Sequence, residues 1–362
     1  MTAQPERMPS MPRLPDLLNL CIERGASDLH LSVGRPPVIR VHGKLEDQGE
    51  ELLSPEATEA LVRELTPERN MKEAEEVGTT DFALAHGSKA RFRVAVFRQK
   101  GNWSAVLRLI PSKLLSFEDI GLPASVKDLI FRPRGLILVT GPTGSGKTTT
   151  LATMIDFLNR ERDMHIITIE DPIEYYHHHR TSLVSQREVH VDVPSFAEAM
   201  RRALRQDPDV ILLGEMRDLE TISAAITAAE TGHLVFATLH TTGAARTIDR
   251  IIDAYPVDQQ EQIRAQLSVS LIAVVSQVLL PRKDVPGRVA AFEVMIVNSA
   301  IENHIRKNET FKVLSVLQTS RKAGMQLLDD HLLDLFKEGK ISRESALLAA
   351  TNPKDLEPRL GG

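Results

Sequence analysis

Cysteine is almost absent from this sequence, which has Cys21 as its one thiol among 362 residues. A single cysteine excludes a disulfide within the chain and any zinc site built from several cysteines. The same scarcity is consistent with a protein that works in a reducing compartment such as the cytosol.

Long hydrophobic runs are also missing. The longest apolar stretches, such as SLIAVVSQVLL, fall well short of the ~20 residues that a membrane-spanning helix needs. The opening residues, MTAQPERMPSMPRLP, lack the apolar centre of a signal peptide, so we expect no secretory signal and no transmembrane span. A role at a membrane therefore requires a partner or a surface contact.

The chain carries no excess of positive charge. Its net charge is −5, aromatic residues make up 4 % of it, and no basic segment is interleaved with aromatic residues. These features argue against direct binding of nucleic acid.

What is present fits a globular protein of two domains, with 42 % hydrophobic and 26 % charged residues. Residues 1–13 have prolines and little periodicity, which predicts a flexible arm. Residues 14–110 mix a helical pattern with alternating strand patterns and predict a small α+β domain, and residues 111–134 predict a linker. Residues 135–362 alternate short β-rich runs with helical stretches, which is typical of an α/β core, and become helical from about residue 298.

The segment GPTGSGKT, at 141–148, follows the apolar run GLILVT and precedes a helical pattern, which is the context that a phosphate-binding P-loop requires. Its glycines let backbone N–H groups surround phosphates, Lys147 can reach the β- and γ-phosphates, and Thr148 can bind Mg²⁺. We expect a nucleoside triphosphate to contact Gly141, Pro142, Thr143, Gly144, Ser145, Gly146, Lys147, Thr148 and Thr149.

Carboxylates follow two further apolar runs. In DPDVILLGEMRD a strand pattern ends at Glu215, which can hold Mg²⁺, polarise an attacking water, or be a solvated side chain at a strand end. In IITIEDPIEY a strand pattern brings Glu170, Asp171 and Glu174 to one loop. These three would repel each other unless a cation joins them, and the alternative is an acidic surface turn.

Two histidine-containing segments are candidates of a weaker kind. In TGHLVFATLHT, His240 stands at the end of a strand pattern, where it can sense the γ-phosphate, contact the carboxylates or be structural. In YYHHHR, at 175–180, consecutive histidines alternate in direction on an extended chain. We therefore expect a loop there and not a metal site.

The small domain carries a series of arginines, namely Arg91, Arg93, Arg98 and Arg108. Arg91 and Arg93 are two positions apart and are expected on one sheet face. One or more of the series can supply the arginine that many P-loop ATPases use against transition-state charge, or they are solvated surface residues.

Four of these segments together resemble the secretion ATPase superfamily, and more closely its type IV pilus retraction ATPases, the twitching motility family. They are the P-loop, TIEDPIEY, RQDPDVILLGEMRDLETISAAITAAETGH and GHLVFATLHT. The resemblance covers nearly the whole chain, from GASDLHLSVGRPPVIRVHGKL to GMQLLDDHLLDLFKEGKISRESALLAATNP.

The resemblance implies a PAS-like N-terminal domain, a RecA-like ATPase domain and a homohexameric ring, with nucleotide between the two domains. It implies ATP and Mg²⁺ as ligands, with Glu215 as catalytic base. It implies that Glu170 and Glu174 support Mg²⁺ and that Arg93 and Arg108 reach the γ-phosphate, with Arg98 a weaker candidate. It also implies a location at the cytoplasmic face of the inner membrane, against a platform protein of the pilus.

The sequence departs from the family at two places. Ala95 follows RFRV where the family has asparagine. The family's C-terminal AIR helix has an altered spacing here, in AIENHIRKNETFKV from Ala300.

Three alternatives to a retraction motor remain open. A pilus assembly or type II secretion motor of the same superfamily commonly carries an extra N-terminal domain and a four-cysteine insertion, which this chain lacks. A nucleotide-gated scaffold is disfavoured by the intact Lys147 and Glu215. A nucleic-acid translocase is disfavoured by the charge.

Overall fold

The computed structural model describes residues 13–41, 43–87, 90–110 and 114–361. They form two compact units, divided between residues 113 and 114. The arm expected over 1–13 lies outside the described residues except for Arg13, and so does the start of the linker at 111–113. The domain boundaries drawn from the sequence stay predictions.

The N-terminal unit is an antiparallel sheet with helices on one face. Its strands stand in the order β3-β2-β1-β6-β5-β4. The elements are α1 Leu14–Glu23, β1 Asp28–Leu31, β2 Val38–Val41, β3 Lys44–Asp47, α2 Pro55–Leu65, α3 Glu68–Val77, β4 Thr79–His86, β5 Ala90–Gln99 and β6 Asn102–Ile110. The sequence patterns predicted all of them except α3.

Alternation along β5 explains how this sheet acquires two different faces. Phe92, Val94 and Val96 are fully buried and join the core formed with the three helices. Arg91 precedes Phe92 and Arg93 follows it, and side chains alternate across a strand, so both arginines lie on the face away from that core. The expectation that they share a face is confirmed.

The C-terminal unit is a mixed α/β structure around a seven-stranded sheet, in the order β13-β12-β7-β11-β10-β8-β9. All neighbours pair in parallel except β12 and β13. The strands are β7 Gly135–Thr140, β8 His165–Glu170, β9 Leu183–Glu188, β10 Val210–Leu213, β11 Leu234–Leu239, β12 Leu271–Pro281 and β13 Arg288–Ile296.

Helices cover both faces of this sheet, so its central strands are buried throughout. All six residues of β7 are buried; Leu136 and Leu138 join one core and Ile137 and Val139 the other. The helices are α4 Phe117–Ile120, α5 Ala124–Leu129, α6 Lys147–Glu161, α7 Phe196–Ala203, α8 Leu219–Glu230, α9 Ala244–Asp253, α10 Gln260–Ser270, α11 Ser299–Arg306, α12 Val313–Thr319, α13 Leu328–Lys337, α14 Arg343–Ala349 and α15 Pro353–Leu356.

Three strands of this sheet were not among the four that the sequence patterns predicted, namely β9, β12 and β13. The apolar run SLIAVVSQVLL turns out to be divided between the end of α10 and most of β12. After β13 the described chain is helical, as expected, with α11 capped by the Asn298 side chain. None of the helices in the described part of the chain has the length and apolar character needed to span a bilayer.

Candidate active site

The predicted P-loop connects the end of β7 to the start of α6. Gly141, Gly144 and Gly146 adopt positive φ angles of 144°, 77° and 89°. At Gly141 the need is also steric, because a Cβ there would overlap the carbonyl oxygen of Gln277. The loop therefore has the backbone that lets successive N–H groups face one ligand at the N-terminus of a helix.

Lys147 is a buried cation held inside this loop. Its Nζ donates hydrogen bonds to the carbonyl oxygens of Gly141 at 3.0 Å and Pro142 at 3.1 Å. Burial lowers the pKa of its ammonium, while the carboxylates of Glu215 and Glu174 act to raise it. Glu215 and Glu174 are thus close enough to Lys147 to share one electrostatic site.

The other loop residues differ in exposure. Pro142, Thr143 and Gly144 are exposed at the crest, and Thr148 and Thr149 are half-buried in the first turn of α6. The Ser145 hydroxyl is buried, and among the described residues its Oγ has no hydrogen-bond partner. An unpaired buried hydroxyl beside inward-facing N–H groups and a lysine fits a polyanionic ligand such as a nucleotide.

Glu170 is the most buried carboxylate of the acidic segment. It ends β8 and accepts hydrogen bonds from Thr168 Oγ1 at 2.7 Å and Gln186 Nε2 at 3.2 Å. Burial raises the pKa of Glu170 to about 7, although both hydrogen bonds act to lower it and the charge of Glu174 adds to the increase. The pKa of this carboxyl therefore lies close to neutral pH. Its two hydrogen-bond donors, Thr168 and Gln186, were not recognised from the sequence.

The remaining acidic segment runs alongside the P-loop helix. Asp171 is exposed and precedes a cis bond to Pro172, while Glu174 is half-buried. The hydroxyl of Tyr175 lies 3.1 Å from Thr149 Oγ1. The structure thus brings the acidic segment and the P-loop together.

Glu215 follows Gly214 and lies two residues beyond Leu213, the carboxyl end of β10. Its Oε1 is 2.8 Å from Arg217 Nε, and its Oε2 is 3.7 Å from His240 Nε2. Thr238 Oγ1 donates to the Gly214 carbonyl at 2.5 Å and fixes this turn against β11. The structure brings His240 next to Glu215, and Arg217 is a neighbour that sequence reasoning missed although it stands two positions away.

The arginines of the N-terminal unit divide between the two sheet faces. Arg93 on β5 is directly opposite Arg108 on β6, so both lie on the face without helices. Arg98 is opposite Trp103 on the other face, with its guanidinium 4.4 Å from the centre of the indole ring, and Trp103 belongs to the core. The structure therefore groups Arg93 with Arg108 and separates Arg98 from them.

The histidine segment takes part in loop packing. The backbone N–H of His177 donates to Gln186 Oε1 at 2.7 Å, and His179 Nδ1 accepts from the N–H of Val184 at 3.1 Å. Throughout the described ranges, no group of three or more His, Cys, Asp or Glu side chains is placed to hold a metal ion. The expectation that Thr148, Glu170 and Glu174 support Mg²⁺ together with nucleotide and water stays a prediction.

Comparison with known proteins places the chain in one family. The family described as Type II/IV secretion system protein matches residues 4–347. The type IV pilus retraction ATPase PilT of Pseudomonas aeruginosa is 50 % identical over 343 residues, which cover 95 % of this chain and 99 % of that protein. A twitching motility protein of Neisseria gonorrhoeae is 48 % identical, with 88 % of this chain and 86 % of that protein covered.

A solved structure also resembles this chain over nearly its whole length. The crystal structure of the pilus retraction motor PilT with bound ADP superimposes with a TM-score of 0.89 at 47 % identity, covering 96 % of this chain and 99 % of that one.

Proposed function

The chain belongs to the type II/IV secretion system protein family, and we propose that it is an ATP-hydrolysing motor that drives retraction of type IV pili and twitching motility. One observation carries the proposal. The buried Lys147, the P-loop and Glu215 form one site in a chain that is 50 % identical, over 95 % of its length, to a pilus retraction ATPase.

In this proposal the P-loop binds the phosphates of ATP. The N–H groups from Gly141 to Thr149 surround them, and Lys147 exchanges its carbonyl acceptors at Gly141 and Pro142 for phosphate oxygens. Glu215 accepts the proton of the attacking water, because a carboxylate placed next to the P-loop lysine faces the γ-phosphate. His240 orients that carboxylate from its position 3.7 Å away.

Thr148, Glu170 and Glu174 are the residues we propose for Mg²⁺, the last two through water. When bound, Mg²⁺ supplies positive charge that neutralises the β- and γ-phosphates. The hydroxyl of Thr148 would offer an oxygen ligand of the kind that this cation prefers, and the carboxylate of Glu174 would accept hydrogen bonds from water bound to it. The buried Glu170 carboxyl acts behind them, since its hydrogen bonds from Thr168 and Gln186 hold it in place.

Arg93 and Arg108 are proposed to contact the γ-phosphate from a PAS-like N-terminal domain, while the ATPase domain is RecA-like. Loss of the γ-phosphate removes their attraction, which is a general way of switching between two conformations. We propose that six copies form a ring at the cytoplasmic face of the inner membrane. The ring would act on a membrane-embedded platform protein of the pilus.

A pair of genetic experiments tests the biological function. Deleting the gene should leave cells with as many surface pili as before, or more, that no longer twitch, and a wild-type copy should restore twitching whereas a Lys147→Ala copy should not. If the deletion cells instead carry no pili, and the wild-type copy restores pili whereas the Lys147→Ala copy does not, the protein is a pilus assembly motor.

The enzymatic part has its own test. Purified Lys147→Ala protein should lose most nucleotide binding and ATP hydrolysis, because the loop loses its one lysine. Wild-type binding and turnover in this variant would show that the P-loop assignment is wrong, whatever the pilus phenotype. Light scattering with nucleotide should report a hexamer.

A further inference from the structure

Gln277 is a buried polar side chain in the middle of β12, the strand next to β7, and it is 1 % exposed. Both ends of its amide contact the P-loop and its helix. Nε2 donates to the Ser145 carbonyl at 2.6 Å, and Oε1 accepts from Thr150 Oγ1 at 2.9 Å. A residue more than a hundred positions away in sequence thus holds the phosphate-binding loop at Ser145 and the helix that follows it at Thr150.

The chemistry of the partners fixes the direction of this amide. A backbone carbonyl can only accept, so the NH₂ end of Gln277 must face Ser145. The carbonyl end then faces Thr150, whose hydroxyl can donate. An exchange of the two amide atoms would leave the buried Ser145 oxygen facing another acceptor, which costs free energy.

The bond to Ser145 determines which way the next N–H points. In a trans peptide the C=O of one residue and the N–H of the next point in opposite directions. Gln277 holds the Ser145 carbonyl toward β12, so the N–H of Gly146 points away from that strand. Gly146 is the N-cap residue of α6, at the helix end where a P-loop binds phosphate.

The loop also rests directly on the backbone of Gln277. Because a Cβ on Gly141 would overlap the Gln277 carbonyl oxygen, no larger residue fits between them. Two positions of the loop, Gly141 and Ser145, therefore contact one residue of β12.

We propose that Gln277 is a positioning residue for nucleotide binding, which acts by holding the Ser145–Gly146 peptide with its N–H toward the phosphates. The inference rests on the proposed function, namely that residues 141–149 bind ATP. Gln277 does not touch the nucleotide itself, and its effect is on ground-state binding of ADP as well as ATP.

Two matched substitutions separate the two hydrogen bonds. Gln277→Met keeps the length of the side chain and removes both bonds, whereas Thr150→Val keeps the bond to Ser145 and removes only the other. Gln277→Met should raise the Kd for ADP about tenfold, equivalent to about 1.4 kcal/mol. Thr150→Val should change it less than about twofold, since the Ser145 carbonyl keeps its donor.

Steady-state kinetics adds a result that a general loss of stability would not produce. Gln277→Met should raise the KM for ATP by a similar factor while kcat falls less than about threefold, because the affected N–H binds ground state and transition state alike. Gln277→Leu is the second variant at this position, and thermal unfolding with and without ADP reports affinity for any variant with reduced stability.

Lys147→Ala distinguishes failure of the inference from failure of the proposed function. If Lys147→Ala loses ADP binding and Gln277→Met and Gln277→Leu bind as wild type, the site is a nucleotide site and our inference is wrong. Equal losses in Thr150→Val and Gln277→Met would also contradict it, because the bond to Ser145 would not be the decisive one. If Lys147→Ala binds ADP normally, the nucleotide site itself is wrong.

Discussion

Arg108 donates a hydrogen bond from its Nε to Oδ1 of Asp28 at 2.9 Å, between the neighbouring strands β6 and β1. Asp28 is buried, whereas the side chain of Arg108 keeps 71 % of its surface exposed. Burial would raise the pKa of Asp28, but hydrogen bonds from Ser27 and Arg108 and the charge of Arg108 hold it below its usual value. An ionised, anchored carboxylate therefore orients an arginine that is otherwise free to reach a ligand.

This relationship predicts that Asp28 acts through Arg108. Arg108→Ala should reduce ATP turnover, and Asp28→Asn should reduce it about three- to tenfold by loosening the guanidinium. In the Arg108→Ala background, Asp28→Asn should have no further effect on turnover, because the guanidinium that Asp28 orients is already gone. Additive losses in this double-mutant cycle of kcat values would mean that Asp28 affects turnover by a route other than Arg108, and the prediction would be wrong.

The separation of Arg93 from Arg98 by the sheet gives a second prediction. Arg93→Ala should lower kcat more than nucleotide affinity, since this exposed residue shares a sheet face with Arg108. Arg98→Ala should leave kcat within about twofold and lower stability by roughly 0.5–1 kcal/mol, through the lost contact with Trp103. Turnover assays and urea unfolding of both variants test this, and the reverse result would favour Arg98, the weaker candidate, over Arg93.

Local patterns in the sequence were sufficient for much of the fold. Alternation predicted β4, β5 and β6, because each strand buries one face and the period of two is visible in a single segment. The P-loop was recognisable because its glycines, lysine and threonine are consecutive. The placement of Arg93 and Arg98 on opposite faces can also be inferred from the sequence, because residues an odd number of positions apart on a strand point to opposite faces.

Contacts between distant segments could not be predicted in the same way. Gln277 lies 132 positions from Ser145, and only the adjacency of β12 and β7 brings them together. The apolar run that contains it gave no period that separates helix from strand, and α10 and β12 indeed meet inside that run. Asp28 was missed for the same reason, since it lies 80 positions from Arg108.

His331 provides a prediction about pH. Its Nδ1 accepts a hydrogen bond from the backbone N–H of Phe292 at 2.9 Å, and burial lowers the pKa of the ring below the usual 6.5, although nearby Asp334 and Glu338 act to raise it and Lys340 to lower it. A protonated Nδ1 cannot accept this bond. The folded state therefore binds fewer protons than the unfolded state, and the His331 contribution to stability is complete above pH 6.5 and is lost as the pH falls toward the folded pKa.

His331→Asn isolates this effect, because the Oδ1 of asparagine can accept the same bond without titrating. The wild type should lose more stability than His331→Asn as the pH falls from about 7 to 5, within the range where histidine titrates. Urea unfolding across that range measures the difference in the free energy of unfolding between the two proteins. The contributions of the other ionisable groups cancel in this difference. Parallel curves for the two proteins would show that His331 does not titrate on unfolding.

Glu215 gives the prediction that bears most directly on catalysis. Its carboxylate stands between Arg217 at 2.8 Å and His240 at 3.7 Å, and its charge acts on Lys147. Glu215→Gln keeps the shape of the side chain and removes its ability to take a proton. Turnover should therefore fall on the order of 10²-fold or more, while the Kd for ADP stays close to the wild-type value.

Arg217→Ala is the matched control. Because the Arg217 side chain is 73 % exposed, loss of this pair should cost about fivefold in turnover at most. Equal losses of ADP binding and turnover in Glu215→Gln would make Glu215 a residue that binds ligand or shapes the site. A loss in Arg217→Ala as large as that in Glu215→Gln would mean that the pair, and not the carboxylate alone, is what catalysis requires.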